Sequence, residues 1–276
     1  MIKIYNCFHD HGSIPDKKYI SDLRPALLCG AGINWRQTDN ITDCLRDNVG
    51  DNISNQNEYY SELTGYYWIW KNEISDIVGI EHYRRHFIKH NPIQNNYVKP
   101  ENLFTENDIL QALSNYDFIV PVHQSLSNTS VYDLYVICFH EQADDIVKYI
   151  RDYFAENHMD NYIDALYKNM TSNKLFRANM LITSKDNFNS YCTVMFNMIN
   201  YMKTKMKETN RLWGYVTELF PMIYIMANNK SFIEVDIAVD DFNQDEQRDI
   251  VYTTINNKEE PFEKDIQKQI EYLKSL

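Results

Sequence analysis

The chain has 276 residues, 44% of them hydrophobic, enough to bury a full core as one large domain. A formal net charge of -12 excludes a nucleic-acid backbone as the main partner, since that binding rests on clustered Lys and Arg, while leaving room for a local basic site. Cys7, Cys29, Cys44, Cys138 and Cys192 are odd in number and never form a CxxC pair, and no long apolar run occurs; a disulfide framework, a zinc knuckle and a membrane span are therefore not expected, and the chain reads as cytoplasmic with at most peripheral membrane association.

The opening Ile2-Lys3-Ile4-Tyr5-Asn6-Cys7-Phe8 alternates and predicts a first strand that ends at His9-Asp10-His11. Neighbouring strand residues point to opposite faces, so this triplet suits a pocket wall better than a metal site. A second short strand is expected over Pro25 to Gly30, then a polar loop from Ala31 to Gly50. Asn55 and Glu58 have capping-box spacing and predict a helix from Gln56 to Lys71. Tyr59, Leu63, Tyr66, Tyr67 and Trp70 share one of its faces and Tyr60, Thr64 and Trp68 another, so it should be buried, with Gly65 marking a close backbone approach. Tyr67, Trp68 and Trp70 read as core, one of them available to stack on a sugar or base.

Ile77-Val78-Gly79-Ile80 predicts a buried strand that ends abruptly in Glu81-His82-Tyr83-Arg84-Arg85. Ligands in α/β sheets sit beyond the carboxyl ends of strands, and adjacent arginines suit a phosphate or carboxylate because their planar forks bond it bidentately. The competing reading is a surface ion-pair cluster. His82, His86 and His90 lie four apart and could share a helical face as metal ligands, but a strand-to-loop break and Pro92 argue against that.

Further along, Glu106 to Leu113 predicts a helix and Tyr116 to Val120 a strand stopped by Pro121. Val131 to Tyr167 is helical in period, and Phe176 to Ile182 reads as a strand. Ser184 caps a helix with core positions from Phe188 to Met202. Gly214 to Ala227 predicts another helix, Phe232 to Ala238 a last strand, and Glu259 to Leu276 a charged amphipathic tail. The alternation predicts an α/β fold with a mostly parallel central sheet flanked by helices, residues 1–240 forming one domain and 241–276 a helical extension. Neither a GxGxxG nor a P-loop occurs, which removes the usual grounds for dinucleotide or ATP chemistry.

The strings DNVGDNISNQNEYYSELTGYYWIWKN and SDIVGIEHYRRHF, followed by Ala178 to Ile182, Tyr191-Cys192 and Arg211-Leu212-Trp213-Gly214-Tyr215, resemble the signature of a bacterial family described as capsular or exopolysaccharide synthesis proteins. The resemblance spans roughly Ile2 to Asn228. It implies a GT-A-like, Rossmann-type nucleotide-sugar-binding fold and a glycosyltransferase, with galactofuranose from a UDP donor as the best guess and a glycan or lipid-linked oligosaccharide as acceptor. A transferase of a pyranose and a non-catalytic nucleotide- or glycan-binding module of the same fold are the alternatives. Two departures stand out: His86 replaces the more usual aromatic after HYRR, in the expected donor neighbourhood, and Phe220-Pro221 replaces Arg-Leu-Leu on a helix expected to line the acceptor side.

Metal-dependent GT-A enzymes hold a divalent cation with Asp-x-Asp, and no Asp here has another two positions on. Two guanidiniums can neutralise a departing diphosphate instead, so no cofactor is expected to be required. The donor-side candidates are His9, Asp51, Asn52, Glu81, Arg84, Arg85 and Asn179; the acceptor-side ones are Arg211, Gly214 and Tyr215. Glu218 is the candidate general base and His82 the reserve, with helix capping as the plainer role for Asp51 and Asn52. No pair of carboxylates has workable spacing for a hydrolase.

Overall fold

In the computed structural model of the chain, residues 1–33, 40–89, 97–98, 100–176, 178–239, 250–251, 262 and 264–276 are described. Part of the expected polar loop (34–39), His90 and Pro92, Arg177 and much of the expected C-terminal extension lie outside them.

Strand β1 (Ile2–Phe8) is buried almost throughout, as a strand covered on both faces must be. Parallel to it run β2 (Ala26–Leu28) on one side and β4 (Ile77–His82) on the other; β3 (Leu45–Arg46) extends β2 in parallel from within the segment expected to be loop. After β4 the chain turns straight back through Tyr83 and Arg84 into β5 (Arg85–Phe87), with His82 opposite Arg85, so HYRR is a tight hairpin rather than a strand running into open loop. The short β6 (Tyr97–Val98) follows, then β7 (Phe118–Pro121), β8 (Gln124–Ser125) and β9 (Lys174–Leu175), which pair antiparallel in a separate two-stranded sheet, and β10 (Leu181–Ser184). β10 is antiparallel to both β4 and β7, and β11 (Phe232–Val235) is parallel to β7. Across β3-β2-β1-β4-β10-β7-β11 only β10 is reversed, which bears out a mostly parallel central sheet. The expected strand Phe232 to Ala238 divides at Asp236: its second half, β12 (Ile237–Val239), leaves β7 and pairs antiparallel with β5 and with β13 (Ile250–Val251).

The helices are α1 (Asn57–Tyr60), α2 (Leu63–Asn72), α3 (Glu106–Leu113), α4 (Val131–Phe139), α5 (Gln142–Glu156), α6 (Asp160–Met170), α7 (Lys185–Lys203), α8 (Leu212–Val216), α9 (Phe220–Ala227) and α10 (Ile266–Ser275). α7 begins at Ser184, whose hydroxyl accepts from the Asn187 N–H, and its Phe188, Tyr191, Cys192, Met195, Ile199 and Met202 are fully buried. α10 reaches back to the body: Leu273 is buried and the Tyr272 hydroxyl donates to Asp144 on α5 at 2.8 Å. Among the described residues no helix is long and apolar enough to cross a membrane.

Other sequence expectations change as well. The helix Gln56 to Lys71 is two helices, because Ser61 takes a left-handed φ of 52° between α1 and α2. A short 3-10 turn, Ser54–Gln56, replaces the Asn55–Glu58 capping box at its start. Phe176 to Ile182 is a strand only from Leu181, since Ala178 (φ 79°) and Asn179 (φ 45°) form a left-handed turn. The close approach at Gly65 is present: a Cβ there would lie 2.7 Å from the Cys29 sulfur and 3.3 Å from the Leu27 side chain.

Candidate functional site

The register that pairs Cys7 with His82 and Phe8 with Leu28 brings the carboxyl ends of β1, β2 and β4 to one edge of the sheet. A cleft of about 690 Å³ opens there. Its floor is Cys7, Phe8 and Cys29; one wall is His82 to Arg85; another is the α1–α2 corner with Asn57, Glu58, Ser61 and Glu62; the last is Asn210, Arg211, Gly214, Tyr215 and Glu218 around α8. The cleft therefore collects three arginines and three glutamates from segments far apart in sequence.

Arg84 stands at the exposed tip of the hairpin, its guanidinium 4.8 Å from the Tyr83 ring centroid and donating to the Tyr83 hydroxyl at 2.6 Å. His9 meets the same ring edge-on at 5.5 Å, as expected of a wall residue, and its Nε2 lies 3.2 Å from Asp10. Arg211 takes a left-handed φ of 60°, donates through its backbone to Glu58 O at 2.7 Å and through Nε to Ser61 Oγ at 3.2 Å, and stacks on Tyr215. Ser61 and Arg211 are two left-handed residues fastened to each other, each such conformation costing about 1–3 kcal/mol and lasting only where the surroundings enforce it. Gly214 permits the approach: a Cβ there would sit 3.0 Å from Ser61 Cβ.

Behind this corner, Asn179 is buried and donates from Nδ2 to Glu62 Oε1 at 2.7 Å and to Gly214 O at 2.9 Å. The Tyr66 hydroxyl donates to Asn179 O, holding the left-handed turn in place. Asn179 thus lies outside the cleft lining and orients Glu62 from behind.

His82 donates a ring N–H to the Ala178 carbonyl, and Nε2 is left buried without a hydrogen-bond partner. Burial is the main force that lowers its pKa to about 4, against the attraction of Glu62 and with the repulsion of Arg85 and Arg211. The ring is neutral at pH 7 and a weak base, so its claim as reserve base falls behind that of a carboxylate. The Cys29 thiol is pushed well up by its hydrogen bond with Cys7 and by burial, which removes it as a nucleophile.

Besides Asn179, three expected donor residues lie outside the cleft lining. Glu81 points to the other face of β4 and is fully buried: Oε1 accepts from Phe87 N at 2.9 Å, and Oε2 lies 3.3 Å from Arg24 Nε and 3.0 Å from His86 Nδ1. Burial raises its pKa, but Arg24, His86 and the Phe87 N–H together bring it below the usual carboxylate value. Asp51 is tied to α2, its backbone bonded to Asn72 and its carboxylate accepting from Tyr67 at 3.3 Å. Asn52 closes a local turn between Gly50 O and Ser54 N. Neither lines the cleft. The His86 departure is likewise structural, because that ring is buried and stacks on Tyr19 at 5.1 Å. Phe220 is buried against Tyr191, and Pro221 opens α9.

Sequence reading missed Asn57, Glu58, Ser61, Glu62 and Asn210. A signal was present: Asn57, Ser61 and Thr64 form a polar stripe on a helix otherwise read as buried, and the structure closes that stripe on itself, with Asn57 Nδ2 donating to Ser61 O at 2.5 Å and Thr64 Oγ1 at 2.9 Å. Among the described residues no group of three or more His, Cys, Asp or Glu side chains could hold a metal ion.

A carboxyl-edge cleft on a mostly parallel sheet flanked by helices defines an α/β protein of the Rossmann type. The chain belongs to the family described as Domain of unknown function (DUF4422), whose sequence profile matches residues 3–230. Among solved structures it is similar to the apo structure of WbbM, a bifunctional glycosyltransferase, with a TM-score of 0.69 and 23% identity over 86% of this chain and 45% of that one. The chain therefore spans less than half the length of that protein. No curated protein matches it.

Proposed function

We propose that the protein is a glycosyltransferase that moves a sugar from a UDP-sugar to a glycan or lipid-linked oligosaccharide, with inverting transfer of galactofuranose as the specific reading, in bacterial capsule, exopolysaccharide or O-antigen synthesis at the cytoplasmic face of the membrane. The observation that carries it is the cleft that sets Arg84, Arg85 and Arg211 together with Glu62 and Glu218 at the carboxyl edge of a parallel sheet. Family membership and the fold shared with WbbM, itself a bifunctional glycosyltransferase, support the same reading.

In the proposed reaction the acceptor hydroxyl oxygen attacks the anomeric carbon. The bond from that carbon to the β-phosphate oxygen breaks, its electron pair leaves with UDP, and the hydroxyl proton passes to a carboxylate. Arg84 and Arg85 grip the diphosphate and stabilise the charge that grows on it. Glu218, half-buried on the acceptor side with Arg211 and Tyr215, is the proposed base. Glu62, held by Asn179, replaces His82 as the second candidate. Turnover is expected to survive EDTA; loss of activity on chelation and its return with manganese would reject the arginine-only reading.

The test is UDP release from UDP-galactofuranose, UDP-galactose and UDP-glucose, with and without a glycan-lipid acceptor, beside thermal shifts with each donor and with UDP. Acceptor-dependent release with one donor supports the transferase. Binding of UDP without release under any acceptor would replace it with a nucleotide-binding module, and release from a pyranose donor alone would change the sugar.

A further inference from the structure

A second cavity, of about 340 Å³, uses α1 as a wall shared with the cleft: Tyr60 lines this cavity, whereas Asn57 and Glu58 line the cleft, and no residue lines both. Tyr60, Phe196 and Trp70 stack in series, with ring centroids 6.4 Å apart at 21° and then 5.6 Å apart at 1°. Tyr67 meets both Phe196 and Trp70 edge-on, at 5.3 and 5.6 Å.

A lysine caps each end of the stack. Lys203 Nζ lies 5.3 Å from the Tyr60 centroid and Lys71 Nζ 3.3 Å from the Trp70 centroid. Lys203 is also engaged by Glu208 at 3.2 Å and Gln56 Oε1 at 3.2 Å, so Lys71 is the cation more open to a ligand. Gln56 and, one turn apart on α7, the exposed Asn197 and Asn200 add amides to the lining. None of the ten lining residues is an acid, in a chain whose net charge is -12.

Each of these features selects a ligand property. The aromatic edges that the stack leaves facing the cavity meet the C–H groups of a sugar ring, side-chain amides donate to and accept from its hydroxyls, and an ammonium without a lining carboxylate meets an anion. The volume falls near the lower end of small-molecule pockets, about 300–1,000 Å³, which suits a single ring rather than a nucleotide sugar. We propose that this cavity binds a saccharide unit bearing a carboxylate, a ring of the uronic-acid type, at a site separate from the transfer cleft. The site stands independently of the transferase reading, because its test needs no turnover.

The test uses the full chain with D-glucuronate, D-glucose and acetate as probes, read by saturation-transfer NMR and tryptophan fluorescence. Glucuronate should bind with low-millimolar affinity, and glucose and acetate each about tenfold or more weaker, since each lacks one of the two recognised features. Lys71→Gln and Asn197→Ala, at exposed positions, should each weaken glucuronate about fivefold or more while leaving the melting temperature in place. Saturating UDP should not displace it. Absence of glucuronate binding, glucose or acetate binding as well as glucuronate, full affinity in both variants, or displacement by UDP would each overturn the proposal.

Discussion

Glu81 and Arg85 lie four residues apart on one hairpin, yet they belong to different parts of the molecule. Glu81 is sealed against Arg24 and His86 beneath the hairpin, whereas His82, Arg84 and Arg85 line the cleft. The difference follows from the period of a strand: successive side chains leave opposite faces, so a charged string read as one cluster is divided between a structural network and a site. The first should govern stability and the second chemistry.

The largest effect is expected from Glu81→Ala, which leaves the buried Arg24 guanidinium without its carboxylate and should cost about 3–5 kcal/mol in urea unfolding. A loss within the range of a surface substitution would mean that the network is not structural. Acid comes next. His82 has a folded pKa of about 4 against an ordinary 6.5, so the unfolded chain binds the extra proton between those values. Its contribution, about 3 kcal/mol, is full above that window and lost as pH falls from 6.5 to 4. Glu81, whose pKa is lowered, adds a further loss as pH falls below the ordinary carboxylate value. Urea midpoints that stay flat between pH 7 and pH 4 would contradict the His82 contribution, and midpoints that stay flat on further acidification would contradict that of Glu81.

On the cleft side, Glu218→Gln should leave UDP binding intact while turnover falls about 10²-fold, the scale of general-base catalysis. If that variant turns over normally and Glu62→Gln does not, the base is Glu62. Arg85→Ala should cost about 2–3 kcal/mol in kcat/KM with little change in melting temperature, the reverse of the Glu81 variant. The smallest effect belongs to Asp51→Ala: outside both the cleft and the buried network, it should shift stability by no more than about 0.5–1 kcal/mol and leave UDP affinity unchanged in a thermal-shift titration.

Much of the site was legible as segments. His9, His82, Arg84, Arg85, Arg211, Gly214, Tyr215 and Glu218 were singled out from strand ends, charge and motif, and the structure places all eight around one cleft. Glu62 was hidden inside an apparently continuous helical pattern, because a 3.6-residue period does not register a single left-handed residue at Ser61. Asn179 was placed on the donor side by the family resemblance, and a β-like run concealed the left-handed turn from which it bonds Glu62.

The sequence by itself determined most of the longer strands and helices, the burial of α7, the tight packing at Gly65 and the strand-end position of the charged string, since these follow from local periodicity and side-chain size. Only the tertiary structure decided which face of β4 each charge occupies relative to its neighbours, that the chain breaks at Ser61, and that α1 stands between two cavities. Those outcomes depend on contacts between residues more than a hundred positions apart, such as Arg211 with Ser61 and Asn179 with Glu62, whose energies no local pattern records.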